Sequence, residues 1–156
     1  MTVTNAMRRL TAAGIPFEAK EYPVDENDLS GVHIAETLGI DPDSMFKTLV
    51  VRGDSGGIYV FCIPSPAELD LKKCAALTGE KKMEMVHVKE LLSLTGYIRG
   101  GCSPIGMKKE YPTYMDEVAE LFDPIHISAG VRGVQLEINP YALADFVGIT
   151  FADITK

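Results

Sequence analysis

The stretch Met45-Phe46-Lys47-Thr48-Leu49-Val50-Val51-Arg52 runs through Gly53 and Asp54-Ser55-Gly56-Gly57 into Ile58-Tyr59-Val60-Phe61-Cys62-Ile63. Two runs rich in β-branched and aromatic residues, separated by a short set of turn formers, predict a hairpin. Strands joined this closely need no crossover helix, so the hairpin points away from a doubly wound parallel sheet. Alternation along Met45 to Val51 puts Lys47 on the face of Met45, Leu49 and Val51, the side expected to point inward. An unpaired ammonium is costly there, so such a lysine either snorkels to the rim or meets an anion, for which a phosphate is a natural candidate. The pattern alone leaves open an ordinary strand-end lysine and a functional one.

On the N-terminal side of the hairpin, Thr4 is a candidate N-cap before Met7, Leu10 and Ala13, with Gly14 as a stop, which reads as an amphipathic helix. A short strand is expected around Phe17 to Tyr22, a polar loop over Pro23 to Gly31, and a helix ending at Gly39. On the C-terminal side, Pro64 and Pro66 close the second strand, Asp70 caps a helix to Thr78, and Gly79 stops it. A brief strand at Met83 to Val86 and a helix over Val88 to Thr95 follow. Further strands are expected at Thr113 to Met115, Pro124 to Ser128 and Val134 to Ile138. Asn139-Pro140 then opens a last helix to Phe146, stopped by Gly148. Six or seven short strands, several without an intervening helix, predict a mixed α/β fold whose mixed sheet is barrel-like and surrounded by helices.

With 156 residues, the chain is expected to form one domain over 1–156. Hydrophobic residues are 46% and charged residues 24%, which argues against disorder and coiled coil. No apolar run reaches the roughly 18–20 residues of a membrane helix, and no leader pattern opens the chain, so no membrane association and a cytoplasmic location are expected. Cys62, Cys74 and Cys102 have no CxxC spacing and read as free thiols, while His33, His87 and His126 are scattered. No metal and no cofactor are expected. The net charge of −7 is uneven: residues 47–109 carry +4 and the rest −11. That balance disfavours broad nucleic-acid binding, DNA included, but allows local contact with one end of an RNA. Each lysine pair in the basic stretch also fits a plain solvated surface.

Gly96 to Gly106 is a second candidate site, with Gly100-Gly101 adjacent and Ser103-Pro104-Ile105-Gly106 behind them. Paired glycines let a backbone approach a ligand and aim N–H groups at a carbonyl or phosphate oxygen, although a loop of this composition also serves as a plain turn. It is neither a Walker loop nor GxGxxG. Cys102 has no histidine close in sequence, and Ser103 and Ser128 lack a GxSxG setting, so both serines read as hydrogen-bonding groups rather than nucleophiles.

Taken in order, Leu38-Gly39-Ile40, Phe46-Lys47-Thr48-Leu49-Val50, Leu69-Asp70-Leu71-Lys72-Lys73, Lys81-Lys82-Met83-Glu84-Met85 and Thr95-Gly96-Tyr97 through Gly106 resemble the YbaK/EbsC family of Cys-tRNA(Pro) deacylases. The likeness continues through Ser128, Gly130, Arg132-Gly133 and Glu137-Ile138. It implies an aminoacyl-tRNA editing domain, related to the editing insertion of prolyl-tRNA synthetase. It also implies a tRNA acceptor end carrying an aminoacyl ester as substrate, and the synthetase as a candidate partner. By position, Lys47 matches the family's essential lysine, Gly100 its loop glycine, and Tyr22 and Ser128 its pocket residues. On this likeness, Gly100 and Gly101 would polarise the ester carbonyl, and Ser103 and Gln135 join the substrate-binding set. Gln135 stands where some relatives have an acidic residue and others serine, His33 sits near a usually acidic helix start, and Cys102 replaces a common aliphatic. The likeness further implies that no enzyme nucleophile is needed, because a cysteinyl ester brings its own thiol. Three rivals remain: a deacylase for Ala-tRNA(Pro) or another mischarged tRNA using water, a non-catalytic nucleotide- or partner-binding module, and, most distant, a hydrolase with Cys102 as nucleophile.

Overall fold

Period-2 patterning in the hairpin segment folds as expected. In a computed structural model, which describes residues 3–156, strand β2 (Phe46–Gly53) pairs antiparallel with β3 (Ile58–Pro64), from Phe46 opposite Pro64 to Arg52 opposite Ile58. Ahead of them lie helix α1 (Asn5–Ala12), strand β1 (Glu18–Glu21) and helix α2 (Gly31–Leu38). Thr4 and Ser30 cap the two helices by accepting from the N–H groups of Met7 and His33, which satisfies donors a helix start leaves open. Helix α3 (Leu71–Thr78), capped by Asp70, leads to strand β4 (Met83–Met85) and helix α4 (Val88–Thr95).

After the glycine-rich loop come strands β5 (Thr113–Asp116), β6 (Ile125–Ser128) and β7 (Val134–Ile138), then helix α5 (Pro140–Val147). Asn139 caps α5 through the N–H groups of Tyr141 and Ala142. The last strand, β8 (Ile149–Ala152), goes beyond the sequence expectation. Its four residues follow a helix stop directly, too short a run to show a period, and its pairing with β5 is supplied from far along the chain.

The strands form two sheets, one ordered β1-β7-β6 and the other β4-β2-β3-β5-β8. The second is mixed: β2 is antiparallel to β3 and β4, while β3, β5 and β8 run parallel. A single bridge between Met45 and His126 ties the sheets at one side. The arrangement is barrel-like without being a closed barrel. Its centre is filled by Leu10 of α1, Phe46 and Val50 of β2, Val60 of β3, Ile127 of β6 and Leu136 of β7. On the opposite face of the five-stranded sheet, Val51, Phe61 and Ile63 pack with Cys74 and Ala75 of α3.

Candidate functional site

Strand β2 has one edge fully paired to β3 but bonds β4 only through Val51, Arg52 and Gly53. The Val86 N–H donates to the Val50 carbonyl at 3.1 Å, and beyond that point the outer edge of β2 is open as far as the Met45 bridge. Since Val50 turns its carbonyl to this edge, strand alternation turns the backbone polar groups of Thr48 the same way. An unpaired strand edge is a ready set of donors and acceptors. Here it lines a cleft of about 740 Å³, closed by the α2 N-terminus, α4, the Gly100 loop and the β6–β7 pair.

Lys47 lies on the cleft wall. It shares its strand face with Leu49 and Val51, as the alternation predicts, but that face packs on α3, while Phe46 and Val50 of the other face fill the centre between the sheets. The side chain is half-buried and makes no ion pair among the described residues. Burial pushes the Lys47 ammonium below the ordinary lysine value, opposed in part by the charge of Glu68. Glu68 is itself paired to Lys156 at 3.1 Å. Arg99 lines the same cleft, as do Ser30 and Gly31 at the start of α2, where the helix dipole adds partial positive charge. Gly31 is there because nothing larger fits: a Cβ would meet Ser65 Oγ at 2.0 Å. Neither Arg99 nor the α2 start was a predicted site residue; the only sequence signal was a Ser-Gly pair closing a polar loop.

The Gly100 loop divides its labour differently from the expectation. Gly100 has a φ of +85° and lines the cleft. Gly101 is buried, and its N–H donates to the Ile98 carbonyl at 3.0 Å, so it has no donor left for a substrate. A Cβ on Gly101 would sit 3.3 Å from the Val131–Arg132 backbone, so its smallness serves packing against the β6–β7 turn. The loop is pinned there by Arg132, whose Nε donates to the Arg99 carbonyl at 2.9 Å, and by Tyr97, whose hydroxyl donates to the Ile105 carbonyl. The N–H groups of Gly100 and Cys102 make no hydrogen bond among the described residues, and both residues line the cleft.

Cys102 lines the cleft, but burial pushes its thiol up to about 12. A thiol that stays protonated at neutral pH is a poor nucleophile. Ser103 is fully buried, accepts from the Ile105 N–H at 3.3 Å and is not a lining residue, so it shapes the loop and does not reach a ligand. Tyr22 likewise packs with Ile34, Ala35 and Met45 and does not line the cleft; alternation could not reveal that the short β1 edge turns it to α2. Ser128 and Gln135 face each other across β6 and β7, and both line the cleft. Ser128 Oγ accepts from the Gly130 N–H at 3.1 Å, whereas Gln135 Oε1 is buried with no hydrogen-bond partner among the described residues. Of the expected set, the structure thus gathers Lys47, Gly100, Ser128 and Gln135 around one space and sets Gly101, Ser103 and Tyr22 behind it.

Helix α4 forms the remaining wall through Val88 and Leu91. Glu90 clamps it to β2 by accepting from both Arg52 guanidinium nitrogens, at 3.1 and 3.3 Å, and from the His87 N–H at 3.2 Å. The bond from Arg52 is the largest cause that holds the Glu90 carboxyl below the usual carboxylate range.

Comparison with known proteins gives the family and the fold. Residues 30–146 match the aminoacyl-tRNA editing domain family. The chain is 49% identical over 152 residues, 97% of its length and 93% of its relative's, to a protein of Enterococcus faecalis named Cys-tRNA(Pro)/Cys-tRNA(Cys) deacylase EbsC. It is 34% identical over 99 residues to a proline–tRNA ligase of Shouchella clausii, a match covering 64% of this chain and 17% of the ligase. Among solved structures, one described as a trans-editing enzyme for prolyl tRNA synthetase superposes with a TM-score of 0.85 over 99% of each chain, at 24% identity. At that identity the likeness is one of fold.

Proposed function

The chain belongs to the aminoacyl-tRNA editing domain family, and from that premise we propose that residues 1–156 act as one cytoplasmic editing domain that deacylates mischarged Cys-tRNA(Pro). The observation that carries the reading is a half-buried Lys47 on β2, without an ion pair among the described residues, in the cleft that Gly100 and Cys102 also line. A partly desolvated ammonium that makes no ion pair among the described residues fits an anion brought by the substrate. The terminal nucleotide of a tRNA supplies such an anion, and its esterified amino acid supplies a carbonyl for the free N–H groups of Gly100 and Cys102. The 49% identical relative named as a Cys-tRNA(Pro)/Cys-tRNA(Cys) deacylase supports cysteine as the amino acid.

The cleavage we propose uses the substrate's own thiol. Its sulfur attacks the ester carbonyl carbon, the carbon–oxygen bond to the 3′ oxygen breaks, and the thiol proton passes to that oxygen. The products are uncharged tRNA and a four-membered cysteine thiolactone, which water then opens to cysteine. Such a ring is strained, so the protein's part is positioning: the cleft holds the thiol against its own carbonyl, and the loop N–H groups stabilise the developing oxyanion. The protonated Cys102 takes no part in the attack. Prolyl-tRNA synthetase is the candidate partner that would present the mischarged tRNA.

Single-turnover deacylation tests the reading. Lys47→Ala should slow cleavage of Cys-tRNA(Pro) by roughly 10- to 100-fold, the worth of one charge-assisted contact. S-methylation of the cysteinyl group should abolish cleavage, and an unchanged rate would replace the thiol by water as nucleophile. Absence of turnover with every aminoacyl-tRNA would leave a binding module instead.

A further inference from the structure

We propose that the open edge of β2 holds the terminal adenine of the tRNA, with the Thr48 N–H donating to adenine N1 and the Thr48 carbonyl accepting from its 6-amino group. The inference rests on the deacylase reading above and deepens it at the base end of the substrate. Lys47, Leu49 and Val51 turn their backbone groups to β3, and the residues between them turn theirs to the other edge. There β4 ends at Met85, and the last bond on this side joins the Val86 N–H to the Val50 carbonyl. Toward the start of the strand the next tie is the bridge from Met45 to His126. Thr48 lies between these ties, is partly exposed, and lines the cleft. Its N–H and carbonyl make no hydrogen bond among the described residues. Backbone polar groups are nearly always paired, so an open pair in a binding cleft marks a place where a ligand brings the partners.

The shape of that pair restricts the ligand group. The N–H and carbonyl of one extended residue point the same way side by side, so both are satisfied by a group that sets an acceptor next to a donor. Phosphate and ester carbonyl oxygens only accept, and an α-ammonium only donates. Adenine has the required pair on its Watson–Crick edge, N1 beside the 6-amino group, and an unstacked base at a single-stranded end exposes that edge. A peptide strand offers the same pair, but the Val86 bond and the Met45 bridge close this stretch within a few residues, which suits a planar base better than an added strand. The cleft carries mixed charge, Lys47 and Arg99 against Asp28, and an uncharged base is held there without a charged partner. Leu49 and Val86, on either side of the open edge, also line the cleft and give the ring apolar contact. Lys47 directly precedes Thr48, so the phosphate cation and the base contact stand on neighbouring residues of one strand, as the two ends of one nucleotide need.

The test titrates isotope-labelled protein with AMP and follows the backbone amide resonances. Among β2 residues the Thr48 amide should shift most, and the Leu49 and Val51 amides, on the edge paired with β3, should move less. Purine riboside monophosphate, which lacks the amino group, and 1-deaza-AMP, which lacks N1, should each bind roughly 2- to 10-fold more weakly than AMP, the net worth of one hydrogen bond. The 7-deaza analogue keeps the Watson–Crick edge and should bind as AMP does. Cys-tRNA(Pro) ending in purine riboside should be cleaved with KM raised by a similar factor and kcat little changed. Equal binding of AMP and both edge analogues, or a Thr48 amide that AMP leaves unmoved, would overturn the proposal and leave this edge to a peptide strand. A loss with the 7-deaza analogue in place of the 1-deaza one would turn the other edge of the base to the strand and overturn the N1 contact. A larger Thr48 shift with CMP would move the contact to a cytosine and overturn it too. AMP binding needs no turnover, so a chain that shows the Thr48 shift but cleaves no aminoacyl-tRNA would keep the adenine contact and sink the deacylase reading alone.

Discussion

Lys47 is charged where its surroundings disfavour charge, and the direction of its shift fixes two pH dependences. An ordinary lysine titrates near 10.4, and burial moves Lys47 below that. The unfolded chain then holds this proton more tightly than the folded one. Stability at this position is therefore lowest while both states are protonated, and it rises as pH climbs through the folded value toward about 10.4. Function has the opposite sign, because only the ammonium grips an anion: single-turnover rates should begin to fall on the alkaline side before an exposed lysine would titrate. Lys47→Met should uncouple the two, with a higher Tm near pH 8 and deacylation slowed roughly 10- to 100-fold. Thermal melts alongside rates check it, and a variant that loses Tm would show that Lys47 has an internal partner. The residue was legible in the sequence because one charge on an apolar strand face is a local signal. The state of Gln135 was not, since an orphaned oxygen depends on everything packed around it.

At the scale of elements, the Gly100 loop and the open edge of β2 both line the cleft, and the loop keeps its shape through contacts with the β6–β7 turn. Two adjacent glycines were visible in the sequence, but their separate reasons were not, because Gly101 answers to Val131 and Arg132, far away along the chain. The hairpin, the capped helices and the β7 alternation were readable for the converse reason: caps, turns and periods are written within a few residues. Gly100 has a positive φ, and a Cβ there would meet Arg132 Nε at 3.2 Å. Gly100→Ala should cost about 1–2 kcal/mol in stability from the left-handed backbone and displace the Arg132 bond to the Arg99 carbonyl, slowing deacylation as well. Gly14 has a φ of +72° with open space around it and does not line the cleft. Gly14→Ala should therefore lose similar stability at an unchanged rate. Urea melts and single-turnover rates on both variants check the contrast, and equal rate losses would mean that the loop acts only through global stability.

Across the whole molecule, the basic stretch of sequence does not gather into one patch. Lys73 is held by Asp153 and the Thr155 carbonyl at the C-terminal strand end, while Lys81 and Lys82 sit on the turn held by Asp54. Of the ten cations between residues 47 and 109, Lys47 and Arg99 line the cleft, on a chain whose net charge is −7. Long-range attraction to a tRNA body is thus opposed, and affinity must come from a few contacts at the single-stranded end. With two phosphate contacts, the slope of log K against log salt should be near −1.4, using about −0.7 per contact for single strands. Titrations of tRNA(Pro) between about 50 and 200 mM salt measure it, and Lys47→Ala and Arg99→Ala should each reduce the slope by about 0.7. A slope several times steeper would place the tRNA body on the protein, and an unaltered slope in both variants would move the phosphates out of this cleft. Weak, shallow binding would instead leave selection of the tRNA body to whatever delivers it, the role that prolyl-tRNA synthetase would fill.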